Sequence, residues 1–447
     1  MTHDNSLEWT RRDFPSLSNT KDGNPPVYFD NACNTLVPRQ VIDALNEYYS
    51  NFPACGEGRS RHWFAQEVTD RIEGNTERNF KGARNAIKDF INAGSEKEII
   101  FTLNASHGIN IVALGTRFKP GDTVLLTDKE HNSNLIPWLR LEKQGTIRTD
   151  NVESDSDGLF DLDAFEQKLK NNRVRLVSMA YTSNLTGYTL PAKELINIAH
   201  RYGALVLLDA AQTVPHQAVD VRELDIDFMA FSIHKMCGPR GVGILYGKSE
   251  LMGKELHEED EAENVVLPAM LGGDTVVDST YEGYILLPPP ERFEVGLQDY
   301  PGQISAGAAV EYLQKVGMDN IKAHEERLNG YLTSQLMERY GDAGWLRILG
   351  PADVSERCGI LTFEVNRPNP IGIAERLSEL RNIMIRDGAF CVHSYLNKVF
   401  GKGWTGPHLP SEQRMTYRVS LYFYNTIEEC RVFLDTLHEV FKERAYV

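Results

Sequence analysis

Short apolar runs alternate with amphipathic stretches between residues 98 and 247. The runs EIIFT (98–102), TVLLTD (123–128), VRLVSMAY (174–181), ALVLLDA (204–210), DFMAFS (227–232) and VGILYG (242–247) read as buried strands. Helical segments lie between most of them, for example PAKELINIAHRYG (191–203). That alternation implies βαβ units and a mainly parallel sheet, an α/β fold. Upstream, a helical pattern is expected from Ala65 to Ala93, and residues 1–27 read as an arm with turn chemistry in SNTKDGNPP. The pattern changes after about Pro301. Helices at QISAGAAVEYLQKVG (303–317) and NTIEECRVFLDTLHEVFKERA (425–445) flank a few strands, including GILTFEV (359–365) and YRVSLYF (417–423). This predicts a second, smaller α+β domain.

Two of the apolar runs end in polar insertions. Asp209 and Gln212 follow VLL; Ser232, His234 and Lys235 follow FMAF. Ligands of open α/β sheets bind at the carboxyl ends of strands. Taken singly, a lysine there is a solvated strand end and an aspartate is a helix cap. Together, a carboxylate and an amine 26 residues apart suit pyridoxal phosphate. The amine can form an imine with its aldehyde, and the carboxylate can hold its ring nitrogen protonated so that the ring withdraws electrons. In TLNASHGIN (102–110) a strand gives way to small residues and an apolar helix. Read alone it is an N-cap, but its exposed N–H groups are also suited to a phosphate.

A length of 447 residues suits two domains. The hydrophobic fraction of 41% and charged fraction of 25% are ordinary for a globular protein. No apolar run reaches the ~18 residues of a membrane span. MTHDNSLEWTRRDFPSL lacks the apolar core of a signal peptide, so a cytoplasmic protein without a membrane partner is expected. A net charge of −16 argues against nucleic-acid binding. ELHEEDEAEN (255–264) reads as a solvated stretch, or as a docking site for a basic partner. Cys33, Cys55, Cys237, Cys358, Cys391 and Cys430 are scattered without a C-x-x-C pair, so neither a metal site nor a disulfide framework is expected.

The motif D-A-A-Q followed by S-x-H-K-x-x-G-P-x-G, with RRDFPSL and YFDNACN near the start and YNTIEE near the end, resembles the class V aminotransferase family. Its members are fold type I, pyridoxal-phosphate-dependent enzymes. The resemblance implies a large cofactor domain over residues 28–300 with a mainly parallel seven-stranded sheet. It implies a small domain made of residues 1–27 and 301–447, and a homodimer with active sites near the subunit interface. By the same resemblance Lys235 is the imine lysine and Asp209 the partner of the ring nitrogen. Ala105 and Ser106 lie in the phosphate turn, with Ser232 and His234 completing it. His131, in DKEHNSNLIPW, lies over the ring face, and a histidine there can also move protons. Asn184, in YTSNLTG, and Gln212 match residues near the phenolic oxygen, unless they simply tie loops together. Where the family has a threonine reaching the other subunit's phosphate, RFEVGLQDY places Leu297. Leucine cannot donate, so that contact is absent or made by a neighbour such as Gln298.

At the substrate end, Arg418 in TYRVSLYFYNT and Arg386 in MIRDGAFCVH match active-site arginines of the family. A guanidinium fork fits a carboxylate. Asp30, Asn31, Ala32 and Cys33 match a loop at the substrate entrance, and His62 in GEGRSRHWFA a mouth loop. Cys237 is expected to pack under the lysine loop. Cys391, in R-x-G-x-x-C, stands where Suf-type cysteine desulfurases and related selenocysteine lyases carry their catalytic cysteine. With Lys235 and His131 it forms the catalytic set. The activity implied is conversion of L-cysteine to L-alanine with a persulfide on Cys391, the sulfur passing to an acceptor protein. The pattern's histidines before the cysteine are Ala389 and Phe390 here, and His393 is expected to act on the thiol instead. The alternative is another class V enzyme: a selenocysteine or C–S lyase, an epimerase or an aminotransferase.

Overall fold

The six apolar runs fold as strands of one sheet, joined by a seventh. In chain order these are β1 (Ile99–Thr102), β2 (Thr123–Thr127), β3 (Arg148–Val152), β4 (Val174–Ala180), β5 (Leu205–Asp209), β6 (Phe228–Ser232) and β7 (Gly243–Gly247). The computed structural model describes residues 7–56, 58–155, 158–253, 266–341, 343–367, 371–400 and 416–446; the acidic stretch 255–264 and the first six residues of the arm lie outside them. The spatial order is β1-β7-β6-β5-β4-β2-β3. β7 runs antiparallel to both neighbours, and the pairs from β6 to β3 are all parallel. The unforeseen strand is β3, RTDNV. It lies at the edge, is mostly solvent-facing, and has no apolar run to betray it.

Successive side chains of a strand point to opposite faces, so each strand feeds two cores. Val206, Leu208, Met229 and Phe231 enter one; Leu207, Phe228 and Ala230 enter the other. The second core is closed by helices α1 (Ala105–Gly115) and α2 (Asn132–Lys143), through Ile109, Val112, Trp138 and Leu141. The first is closed by Ala86, Ile87, Leu195 and Ile196, and by Tyr300, Ile304, Val310 and Leu313 of the helix Tyr300–Val316.

The single helix expected from Ala65 to Ala93 is two helices, Trp63–Glu73 and Ala83–Phe90. Gly74 and Gly82 adopt φ of 93° and 80°, and a Cβ on Gly82 would collide with the Gly74 backbone. The chain turns back between them, which the apolar periodicity on either side concealed.

A second sheet contains β8 (Leu346–Leu349), β9 (Ile360–Val365), β10 (Arg386–Asp387) and β11 (Thr416–Ser420), in the order β8-β9-β11-β10 and fully antiparallel. Leu361, Phe363 and Val419 form its core with Phe433 and Leu437 of the helix Ile427–Glu443. Val27–Tyr28 pairs with Ile383–Met384, so the end of the N-terminal arm is sewn into this part. Among the described residues no helix is long and apolar enough to cross a membrane.

Candidate active site

The carboxyl ends of β1, β2, β4, β5 and β6 converge on one cavity of about 300 Å³. Asn104, Ala105 and Ser106 enter it after β1, and His131 and Ser133 after β2. Thr182 and Asn184 follow β4; Asp209 and Gln212 follow β5; Ser232, His234 and Lys235 follow β6. The second sheet and its loops close the far side with Arg386, Phe390, Cys391 and Arg418. The expected site residues are thus brought together from positions up to several hundred residues apart, with one exception given below.

Asp209 is the last residue of β5, held between Ala180 and Ala230 in the register. Its Oδ1 accepts from the Ala211 N–H at 3.0 Å. Burial pushes its carboxyl above the usual range, against the pull of Lys235. Lys235 ends the turn Ile233–Lys235 that leaves β6. Burial lowers its amine below the ordinary lysine range, opposed by Asp209 and assisted by Arg418. A lysine moved in that direction is closer to its deprotonated, nucleophilic form.

The turn after β1 forms a concave cap. Asn104 accepts from the His107 N–H at 3.0 Å and opens α1. The Ala105 N–H donates to Ser232 Oγ at 2.8 Å, tying the turn to the lysine strand. The Ser106 hydroxyl meets that of Ser133 at 2.6 Å, so the starts of α1 and α2 present paired hydroxyls. Gly243 permits the approach, because a Cβ there would collide with the Asn104 backbone. Helix starts carrying hydroxyls and unbonded N–H groups favour a phosphate.

His131 is the N-cap of α2, and its Nδ1 accepts from the Ser133 N–H at 3.1 Å. Burial, then the positive charges of Lys235 and Arg418, push its imidazole down to about 3. The ring is therefore neutral with its proton on Nε2, suited to stacking and hydrogen-bond donation rather than to taking up a proton at neutral pH. The turn is held by Glu130, which accepts from the Thr127 N–H and hydroxyl, Asn134 Nδ2 and the Ala180 N–H. Burial raises Glu130 to about 7.

Arg418 on β11 and Arg386 on β10 lie directly opposite in the register. Arg418 is buried; its Nη1 donates to Asn184 O at 3.0 Å, and its Nε has no hydrogen-bond partner among the described residues. The carboxylate near both is Asp30, 3.4 Å from Arg418 and 3.8 Å from Arg386. Two guanidinium groups share this one carboxylate through long contacts, so their positive charge exceeds the negative charge facing it and suits a further anion. Arg386 also places Nη1 2.6 Å from Cys33 Sγ.

The Cys391 loop takes unusual backbone: Phe390 and Cys391 have φ of 49° and 59°. Two bonds hold it there. Asn184 Nδ2 donates to Phe390 O, and the Asn132 N–H to Cys391 O, both at 2.7 Å. Ala389 and Phe390 pack with Leu185, Leu349, Val392 and Leu396, and the Phe390 ring lies 4.7 Å from the Arg418 guanidinium. The residues that replace the expected histidines therefore anchor the cysteine by apolar packing. Asn184 is committed to this loop, and Gln212 Nε2 donates to Ala32 O at 2.7 Å, so both amides do tie loops while lining the cavity.

Asn31 is the exception. Its amide nitrogen donates to Ser420 O and Asn425 Oδ1, and its oxygen accepts from Tyr424, so it is spent in the packing behind the cavity wall. His393 is exposed, and its Nδ1 meets Asn132 Nδ2 at 3.0 Å. His62 caps the helix Trp63–Glu73. Leu297 is 65% exposed, and Gln298 Nε2 bonds to Val295 O and Gly296 O. Cys237 is buried in the core beside the lysine turn, as expected. Ser133 and Glu130 escaped the sequence reading; a serine and an acid flanking an expected strand-end histidine were the available signal.

The family Aminotransferase class-V matches residues 27–433. The chain belongs to the class V aminotransferase family. A cysteine desulfurase of Synechococcus elongatus is 37% identical over 96% of this chain, which spans 62% of that relative's length. A probable cysteine desulfurase of Streptomyces coelicolor is 35% identical, with 97% of this chain and 96% of the relative covered. The apo structure of a cysteine desulfurase from Thermococcus onnurineus NA1 superposes with a TM-score of 0.84, at 33% identity and 98% coverage of both chains. The cofactor of this class V enzyme is pyridoxal phosphate. The cavity fits it: a lysine held towards its neutral form, a buried carboxylate, a neutral imidazole and a hydroxyl-lined helix start surround one space.

Proposed function

We propose that this protein is a cysteine desulfurase, taking L-cysteine to L-alanine with the sulfur received by Cys391. The observation that carries the reading is the meeting of Lys235, Cys391 and the Arg386–Arg418 pair in one cavity. Bound at Lys235, the cofactor supplies an electron sink for bonds at the amino acid's α-carbon. Asp209 would hold the ring nitrogen, His131 would lie against the ring, and the starts of α1 and α2 with Ser232 would hold the phosphate. Arg418 and Arg386 take the substrate carboxylate and so orient its side chain towards the Cys391 loop. The Cys391 thiolate attacks the substrate sulfur, the carbon–sulfur bond breaks, and sulfur remains as Cys391–S–SH. The carbon skeleton takes up a proton at its β-carbon and leaves as alanine. Deprotonated Lys235 is placed to move the α-proton.

The same reading includes a homodimer. The segment around residues 276–297 exposes Val277, Tyr281, Ile285 and Leu297, and the Arg59–Asp274 ion pair brings the loop before exposed Trp63 to it. An apolar surface of this kind suits a partner subunit. The two cores suit two domains, with the cavity between them; the packing of Tyr300–Val316 on the first core favours a division C-terminal to Pro301. All six cysteines are free, which suits a reducing, cytosolic setting and onward transfer of sulfur to an acceptor protein.

The test is product analysis with L-cysteine and a reductant. Wild type is expected to release alanine and sulfide in equal amounts, and Cys391→Ala to keep the cofactor's absorbance while losing turnover. A Cys391→Ala variant as fast as wild type overturns the persulfide route.

A further inference from the structure

A second pocket of about 250 Å³ is bounded by the loop Ser355–Cys358, the helix Met318–Leu336, Thr189 and His216. At its base Arg357 is only 2% exposed. Its Nη2 donates to Thr333 Oγ1 at 3.0 Å, but Nε and Nη1 are buried without a hydrogen-bond partner among the described residues. A buried guanidinium with unused donors is costly, and such a group calls for an acceptor.

The neighbouring carboxylates are placed otherwise. Glu325 is occupied by His216 Nδ1 at 2.9 Å and the Gly359 N–H at 3.2 Å. Glu326 lies 3.9 Å from Lys322, and Glu356 is exposed at the rim. The pocket thus offers the unused Arg357 donors at depth, where Glu325 is already paired with His216, and at its mouth the carboxylates of Glu356 and Glu326, with Lys322 beside the latter. A dianion would meet the acidic rim, and a cation would meet Arg357. We propose that this pocket binds a small α-amino acid as its zwitterion, carboxylate on Arg357 and ammonium towards Glu356 and Glu326.

Such a ligand would bear on the active site through one loop. The Cys358 N–H donates to Gly187 O at 3.0 Å, and Arg357 bridges Tyr188. Three residues away, Asn184 holds the Cys391 loop and accepts from Arg418. The pocket stands on its own geometry and does not depend on the reaction assigned to the cavity.

Labelled glycine is the probe, in equilibrium dialysis with holoenzyme whose lysine–cofactor link has been reduced with borohydride, so that no amino acid can react there. Saturable binding at one site per chain is expected, lost in Arg357→Met and in Ser355→Trp, which fills the mouth from an exposed position, and kept in Arg418→Met. Acetate is expected to compete and methylamine not to. Absence of saturable binding, equal binding in Arg357→Met and Ser355→Trp, or loss confined to Arg418→Met would each overturn the proposal. If Arg357→Met does not fold, Ser355→Trp alone decides.

Discussion

Replacing Arg418 by methionine separates substrate recognition from folding. In the free protein the guanidinium donates to Asn184 O at 3.0 Å and, in a long ion-paired bond, to Asp30 Oδ1 at 3.4 Å, and it makes a face contact with Phe390. Against these stand its burial, an unbonded Nε and the like charge of Arg386 opposite. Methionine has a similar length and no desolvation cost, so the opposing contributions nearly cancel, within about 1 kcal/mol. For a chain of 447 residues that is a change in Tm of about 1 °C. Substrate binding is different. Two charge-assisted bonds to a carboxylate contribute about 3 kcal/mol net, which corresponds to roughly 100-fold in kcat/KM. Most of the change should fall on KM. Alanine release against L-cysteine concentration measures the first effect and a thermal melt the second. An unchanged kcat/KM would refute the recognition role. A fall in Tm of more than about 5 °C would make Arg418 a structural cation instead.

Three further outcomes follow from the same geometry. Glu130→Gln loses an acceptor for the N–H of Ala180 or Thr127, and should cost about 2–3 kcal/mol of stability, read as a Tm lower by about 2–3 °C. Gly243→Ala forces the Asn104 turn away from β7, so cofactor affinity measured by equilibrium dialysis should fall; unchanged affinity would remove that turn from the phosphate site. In the cofactor-free protein His131 and His234 bind protons only near 3 and 4, against 6.5 in the unfolded chain. The unfolded state therefore binds more protons below pH 6.5, and these two residues withdraw stability as pH falls from there towards 4. Glu130, raised to about 7, acts in the opposite direction between pH 7 and 4.5, so the readable quantity is the difference between wild type and His131→Asn, which should shrink on acidification.

The sheet was legible because its central strands are buried on both faces and leave continuous apolar runs, as VLL and FMAF do before Asp209 and Lys235. Edge strand β3 was not, since half-solvated RTDNV carries no such signal. The broken helix after Ala65 was hidden because Gly74 and Gly82 interrupt two segments whose apolar faces happen to continue in phase. In the site, residue types at strand ends pointed to the cofactor, and motif resemblance carried the rest. What sequence could not supply was the direction of each side chain. Asn31 looked like its neighbours Ala32 and Cys33, yet its amide turns into the Ser420–Asn425 packing. His393 is two residues from Cys391, but the left-handed backbone at Phe390 and Cys391 points it to Asn132.

The most direct measurement is borohydride reduction of the cofactor-loaded enzyme followed by proteolysis and mass mapping. A single pyridoxyl adduct on the Lys235 peptide is predicted, absent from a Lys235→Ala variant. An adduct on any other lysine would contradict the assignment of this cavity as the seat of the chemistry.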